Sequence, residues 1–177
     1  WQRVDPAWIL VALVAYSLSK ILASIRLNIN FRLIGIELSE TKNRRLYWLG
    51  MLYNLLLPGA ITGDAYKVVA LGKKPGSSRK SLALAVLLDR FSGLLSLLII
   101  IALLGLSVFP NVGWMKLALL ASMLLLPISY WIIRWSLPQQ APGFNATLLI
   151  GAGVQLLVVV TVWSIIHALN VQSNTID

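Results

Sequence analysis

Apolar residues run through this chain in long uninterrupted stretches, and most polar residues collect at their ends. The clear polar interruptions of residues 6–25 are Ser17, Ser19 and Lys20, with Ser24 close to the end. At ~1.5 Å of rise per residue, about 20 helical residues cover the hydrocarbon core of a bilayer. Lys20 lies near one end and can extend its amine to the interface. Three further stretches of this kind follow, at residues 81–108, 112–135 and 146–169. Pro127 lies inside the run 112–135, where it removes a backbone donor and predicts a kink. The connections 109–113 and 136–145 carry Pro110, Asn111, Pro138, Pro142 and Gly143, all turn formers. The pattern predicts an all-α, polytopic transmembrane helix bundle of about four spans.

One apolar stretch breaks the pattern. Residues 47–57 are apolar, but about 11 residues are too few to cross a bilayer. Pro58-Gly59 ends the stretch, and residues 65–71 add only another turn or two. Charge placement gives this element its meaning. Five cations precede it (Arg26, Arg32, Lys42, Arg44, Arg45) and five accompany or follow it (Lys67, Lys73, Lys74, Arg79, Lys80). Residues 109–113 and the tail after Leu169 carry none. Positively charged loops stay on the cytoplasmic side. Both flanks of the short element are therefore cytoplasmic, which predicts a re-entrant helix hairpin over about residues 46–72 within one membrane domain, 1–177. The N-terminus and the end of the last span then lie outside.

Composition agrees with this reading. The 177 residues are 58% hydrophobic and 12% charged, with a mean hydropathy of +0.82, whereas soluble domains are nearer a quarter charged. A disordered chain, a disulfide scaffold and an ordinary soluble enzyme are excluded. There is no Cys, one His and six carboxylates, so neither a metal site nor a cofactor is expected. The formal charge of +9 lacks a polar basic domain with interleaved aromatics, so no nucleic-acid partner is expected. The cations read instead as anchors facing anionic headgroups.

Irregular backbone at membrane depth leaves peptide groups unpaired, at several kcal/mol each, unless protein or a wet cavity receives them. Broken helices are where transporters hold substrate. The candidate site is therefore the hairpin tip, Asn54, Pro58, Gly59, Thr62, Gly63, Asp64 and Lys67. Pro58 stops one helix, the glycines permit reversal, and Thr62 or Asp64 can cap the next helix. Asp64 also stands one helical turn from Lys67. Asp89-Arg90 places a second charged pair inside a span. Pairing Asp64 with Arg90, or Asp89 with Lys67, would neutralise both motifs, either as a structural staple or as substrate contacts. Lys73, Lys74, Arg79 and Lys80 form a basic loop suited to recruiting lipid headgroups. His167 reads as a packed or interfacial histidine, and the tryptophans suit an interfacial belt.

The stretch Asn54-Leu-Leu-Leu-Pro58-Gly59 through Gly63-Asp64-Ala-Tyr-Lys67, followed by Asp89-Arg90-Phe-Ser-Gly93-Leu, resembles the transmembrane region of lysylphosphatidylglycerol synthases and of flippase-like integral membrane proteins. Two positions depart from that family's pattern. Thr62 replaces the first glycine of a pair, and Lys67 replaces an arginine, keeping the charge but losing a bidentate fork for phosphate. The chain begins at Trp1 without Met, which fits a piece of a longer family member. The resemblance implies lipid handling, with flippase-like translocation of an anionic or polyprenyl-linked lipid across the inner (cytoplasmic) membrane of a bacterium or archaeon. It does not imply lipid synthesis, because no soluble aminoacyltransferase domain accompanies the spans. The expected partners are membrane lipids, anionic headgroups above all, with room for a homo-oligomer or a larger membrane complex. The alternatives are a membrane-embedded glycosyl- or phosphotransferase subunit and a structural subunit of a larger assembly.

Overall fold

A computed structural model of the chain describes residues 5–57, 61–73, 78–108 and 111–169. These form six helices: α1 (Pro6–Leu33), α2 (Glu40–Leu56), α3 (Thr62–Leu71), α4 (Arg79–Val108), α5 (Gly113–Ser136) and α6 (Ala141–Ala168). Four of them, α1, α4, α5 and α6, are long and apolar enough to span a membrane. In each, at most 33% of the most apolar window is buried inside the protein. The aliphatic side chains left on the outside, such as Leu13, Leu98, Leu120 and Leu149, would be a liability in water and suit a hydrocarbon surround.

The first span is longer than its hydropathy suggests. Asp5 caps its start, its Oδ1 accepting from the Ala7 N–H at 2.9 Å, with Pro6 at the first position. The helix runs past Ile25 to Leu33, so Arg26 and Arg32 are helical residues and not loop cations. Its end is set by Gly35 at φ +78°. The Ile36 N–H donates to the Phe31 carbonyl at 3.0 Å and the Gly35 N–H to Arg32 at 3.0 Å. Such a turn closes a helix where a left-handed residue is available. Ile36 and Phe31 then bury in the same apolar cluster.

Helices α1 and α6 lie antiparallel along most of their length. The Asp5 N–H donates to the Ala168 carbonyl at 3.0 Å at one end, and Gln140 Nε2 reaches the Asn30 carbonyl at 3.4 Å at the other. Helix α4 packs on both, and α5 lies against α4 and α6 at the edge. Pro127 stays within a continuous α5. At the Asp5 end, Trp8 meets Trp163 edge-on with centroids 5.0 Å apart, and His167 tilts against Trp163 at 4.2 Å.

Helices α2 and α3 form the short broken pair. It begins earlier than the apolar run, at Glu40, because Ser39 caps the helix with its hydroxyl on the Lys42 N–H at 3.4 Å. Glu40 Oε1 accepts from Asn28 Nδ2 at 2.7 Å and Arg32 Nη2 at 2.6 Å, tying the start of α2 to the end of α1. One turn on, Asn43 Nδ2 donates to the Ser24 carbonyl and hydroxyl at 2.6 and 2.9 Å. The end of α3 returns to the same level. Leu71 joins Leu27, Phe31, Leu82, Ala85 and Val86 in one buried cluster. Both outer ends of the helix pair thus sit beside the end of α1 and the start of α4.

Candidate functional site

The tip of the broken pair is held by backbone proximity. A methyl on Gly63 would lie 1.9 Å from the Gly50 carbonyl oxygen, and one on Gly50 would lie 2.7 Å from Lys67 Cε. At Gly63 the two backbones approach so closely that no side chain fits between them, which is what lets α2 and α3 cross here. Asn54, one turn above Gly50 on α2, points its Oδ1 at the start of α3 and accepts from the Gly63 N–H at 2.7 Å. The Thr62 hydroxyl donates to the Tyr53 carbonyl at 3.2 Å. The Tyr53 and Tyr66 rings meet across the pair with centroids 4.4 Å apart and a tilt of 32°. The cap of α3 therefore comes from Asn54 on the partner helix, whereas the sequence suggested Thr62 or Asp64. Pro58 and Gly59 lie outside the described residues.

Among the described residues four charged side chains are buried, Arg26, Asp64, Lys67 and Asp89. They form two clusters. In the first, Asp64 is shared. Its Oδ1 accepts from Lys67 Nζ at 3.0 Å, and its Oδ2 accepts from Arg90 Nε on α4. Lys67 also stands over the Tyr47 ring, 4.9 Å from its centroid. The Asp64–Lys67 and Asp64–Arg90 pairings expected from the sequence are both present.

The second cluster corrects the sequence reading. Asp89 is not paired with Lys67. Its two oxygens accept from Arg26 Nε at 2.8 Å and Nη2 at 3.2 Å, a bidentate fork from α1. The physical reason is helical phase. Adjacent residues on a helix point about 100° apart, so Asp89 faces α1 while Arg90 faces α3. Room for the guanidinium comes from missing side chains. A methyl on Gly93 would lie 2.7 Å from Arg26 Nη1, and one on Gly151 3.2 Å. Arg26 was the functional-looking residue that hydropathy concealed by placing it in a loop. Two signals pointed to it: glycine four residues beyond Asp89, and the Gly35 stop signal further along.

The first cluster opens onto a groove of about 470 Å³ between α3 and α4. Its walls are Ala65, Val68, Val69, Ala83, Val86 and Leu87, and Asp64 and Arg90 stand toward the tip. The Arg90 side chain is 46% exposed against 8% for Lys67, so Arg90 is the cation the groove can reach. Arg90 is the twelfth residue of α4, which puts it about 17 Å along that helix. The groove therefore pairs an apolar wall with a charged end. The basic residues Lys73, Arg79 and Lys80 are exposed at the opposite end of α3 and the start of α4, while Lys74 lies outside the described residues. No three His, Cys, Asp or Glu side chains cluster among the described residues.

The model of the lysylphosphatidylglycerol synthase TM region matches residues 1–177. The chain belongs to that family and is a multi-pass membrane protein. No curated protein and no solved structure matches it.

Proposed function

We propose that the chain translocates an anionic or polyprenyl-linked lipid across the cytoplasmic membrane, with the helix pair α2–α3 as a re-entrant hairpin and the headgroup passing its tip. The carrying observation is one carboxylate, Asp64, shared by two cations, of which Arg90 faces an apolar groove. With the Arg26–Asp89 pair neutral by itself, the site holds one more positive than negative charge. A phosphate monoanion would balance it.

The arrangement supports an exchange of partners. An incoming headgroup phosphate takes Arg90 from Asp64, and Lys67 keeps the carboxylate paired, so no buried charge is orphaned. The lipid tail follows the apolar wall of Ala65, Val68, Val86 and Leu87 and stays in hydrocarbon. When the lipid leaves, Asp64 reclaims Arg90, which keeps binding weak enough for release. Exposed Lys73, Arg79 and Lys80 attract anionic headgroups to the cytoplasmic end, each by about 1 kcal/mol near a charged surface.

Reconstitution tests the proposal. A fluorescent anionic lipid in liposomes crosses faster with the wild-type chain than with folded Asp64→Asn or Arg90→Ala protein. Equal rates for all three, or a wild-type rate equal to that of empty liposomes, would sink it.

A further inference from the structure

The outward face of α2 carries a pattern that the translocation site does not use. Thr41, Arg44, Arg45, Trp48, Leu49 and Leu52 border one open face of that helix. Their spacings of three and four residues put them on one helical face. Along that face the chemistry is graded. Two arginines come first, an indole follows, and two leucines finish it, over about 17 Å at 1.5 Å per residue. All six are exposed. The opposite face of α2 is occupied, with Asn43 against Ser24 and Gly50 against Gly63.

The arginines are also electrically available. Glu40, one turn before Arg44, is the nearest acid in sequence, but its carboxylate oxygen is taken by Arg32 and Asn28. Neither Arg44 nor Arg45 makes an ion pair among the described residues.

We infer that this face is a second lipid site, holding one anionic phospholipid of the leaflet. The phosphate lies on Arg44 and Arg45, the ester region on Trp48, and the first acyl carbons on Leu49 and Leu52. Charge complementarity selects an anion. The aliphatic continuation selects a lipid over a soluble phosphate, which would leave Leu49 and Leu52 without a partner. Trp is the side chain best suited to the level between headgroup and hydrocarbon. The site stands apart from the Asp64–Arg90 groove and does not depend on translocation.

Trp48 itself reports occupancy. The full chain is reconstituted in vesicles containing phosphatidylglycerol or phosphatidylcholine with brominated acyl chains. The Trp48 share of fluorescence is isolated by subtracting Trp48→Phe protein. Quenching by the anionic lipid should exceed that by the zwitterionic lipid, with a preference of about fivefold per cation engaged, as expected for Lys or Arg at a charged surface. Arg44→Gln/Arg45→Gln should abolish that preference, and Lys116→Gln, in the first turn of α5, should leave it. Equal quenching by both lipids in the wild type would overturn the inference. So would a preference that survives in Arg44→Gln/Arg45→Gln protein. Protection of Trp48 from both lipids would also overturn it and point to a second copy of the chain on this face. A preference lost equally in Lys116→Gln protein would show that total charge and not this face sets it, and would refute the site on α2.

Discussion

Replacing Asp64 by Asn leaves the shape of the tip almost unchanged and removes its only negative charge. Lys67 is then buried without its counter-ion, since its side chain is 8% exposed and its Nζ sits 3.0 Å from Asp64 Oδ1. Removing one partner of such a pair costs about 3–5 kcal/mol. The Tyr47 ring beneath Lys67 offsets part of this, by about 0.5–2 kcal/mol for a cation over an aromatic face. Arg90 adds less. Its side chain is 46% exposed and can turn into the groove, so its ion pair is discounted toward the surface range of about 0–1 kcal/mol. The expected loss for Asp64→Asn is therefore about 2–4 kcal/mol, against about 1 kcal/mol or less for Arg90→Gln. The assay is reversible unfolding in mixed micelles followed by circular dichroism, run as a cycle with Lys67→Met. Removing both charges leaves no orphan, so the double variant should be more stable than Asp64→Asn alone, with a coupling of about 1–3 kcal/mol. Additivity to within about 0.5 kcal/mol, or an Arg90→Gln loss as large as that of Asp64→Asn, would refute the reasoning.

Other substitutions test the packing behind the site. Gly63→Ala drives a methyl into the Gly50 carbonyl at 1.9 Å and should cost at least about 1–3 kcal/mol. Gly153→Ala meets nothing nearer than Leu22 Cδ1 at 3.6 Å and should be nearly neutral in the same unfolding assay. Arg26→Lys keeps the charge facing Asp89 but loses the two-point fork. It should destabilise by about 1.5–3 kcal/mol, the scale of a hydrogen bond to a charged group. It should also slow lipid translocation less than Arg90→Ala does, because Arg26 faces the bundle and not the groove.

Much of the fold was legible because apolar run length is a direct signal of a span, and α4 and α5 begin within two residues of their runs. The misjudged boundaries have one cause. Hydropathy ends a helix at the first charge, whereas the backbone ends it at a cap. Arg26, Asn28 and Asn30 look like a loop until Gly35 is recognised as the stop, and Glu40 to Leu46 look like a loop until Ser39 is recognised as the start. The α6 start at Ala141 similarly precedes the apolar run, with Pro142 in its first turn. At the site, sequence placed Asp64 with Lys67 and with Arg90, since a three-residue helical spacing and two isolated membrane charges suggest partners. It could not place Arg26 with Asp89, which are 63 residues apart and meet only through the packing of α1 on α4. Nor could it assign the cap of α3 to Asn54, because that requires knowing how closely Gly50 and Gly63 let the two helices cross.

Everything proposed about lipid handling rests on the break between α2 and α3 lying inside the bilayer, with both ends of the pair at one face. Single cysteines at Ser39, Ser78 and Asn111 test this in sealed vesicles of known orientation, because the chain has no native Cys. Ser39 precedes α2, Ser78 precedes α4, and Asn111 lies between α4 and α5. The account predicts that a membrane-impermeant maleimide labels positions 39 and 78 from the same side and position 111 from the other. Labelling of 39 and 78 from opposite sides would contradict it.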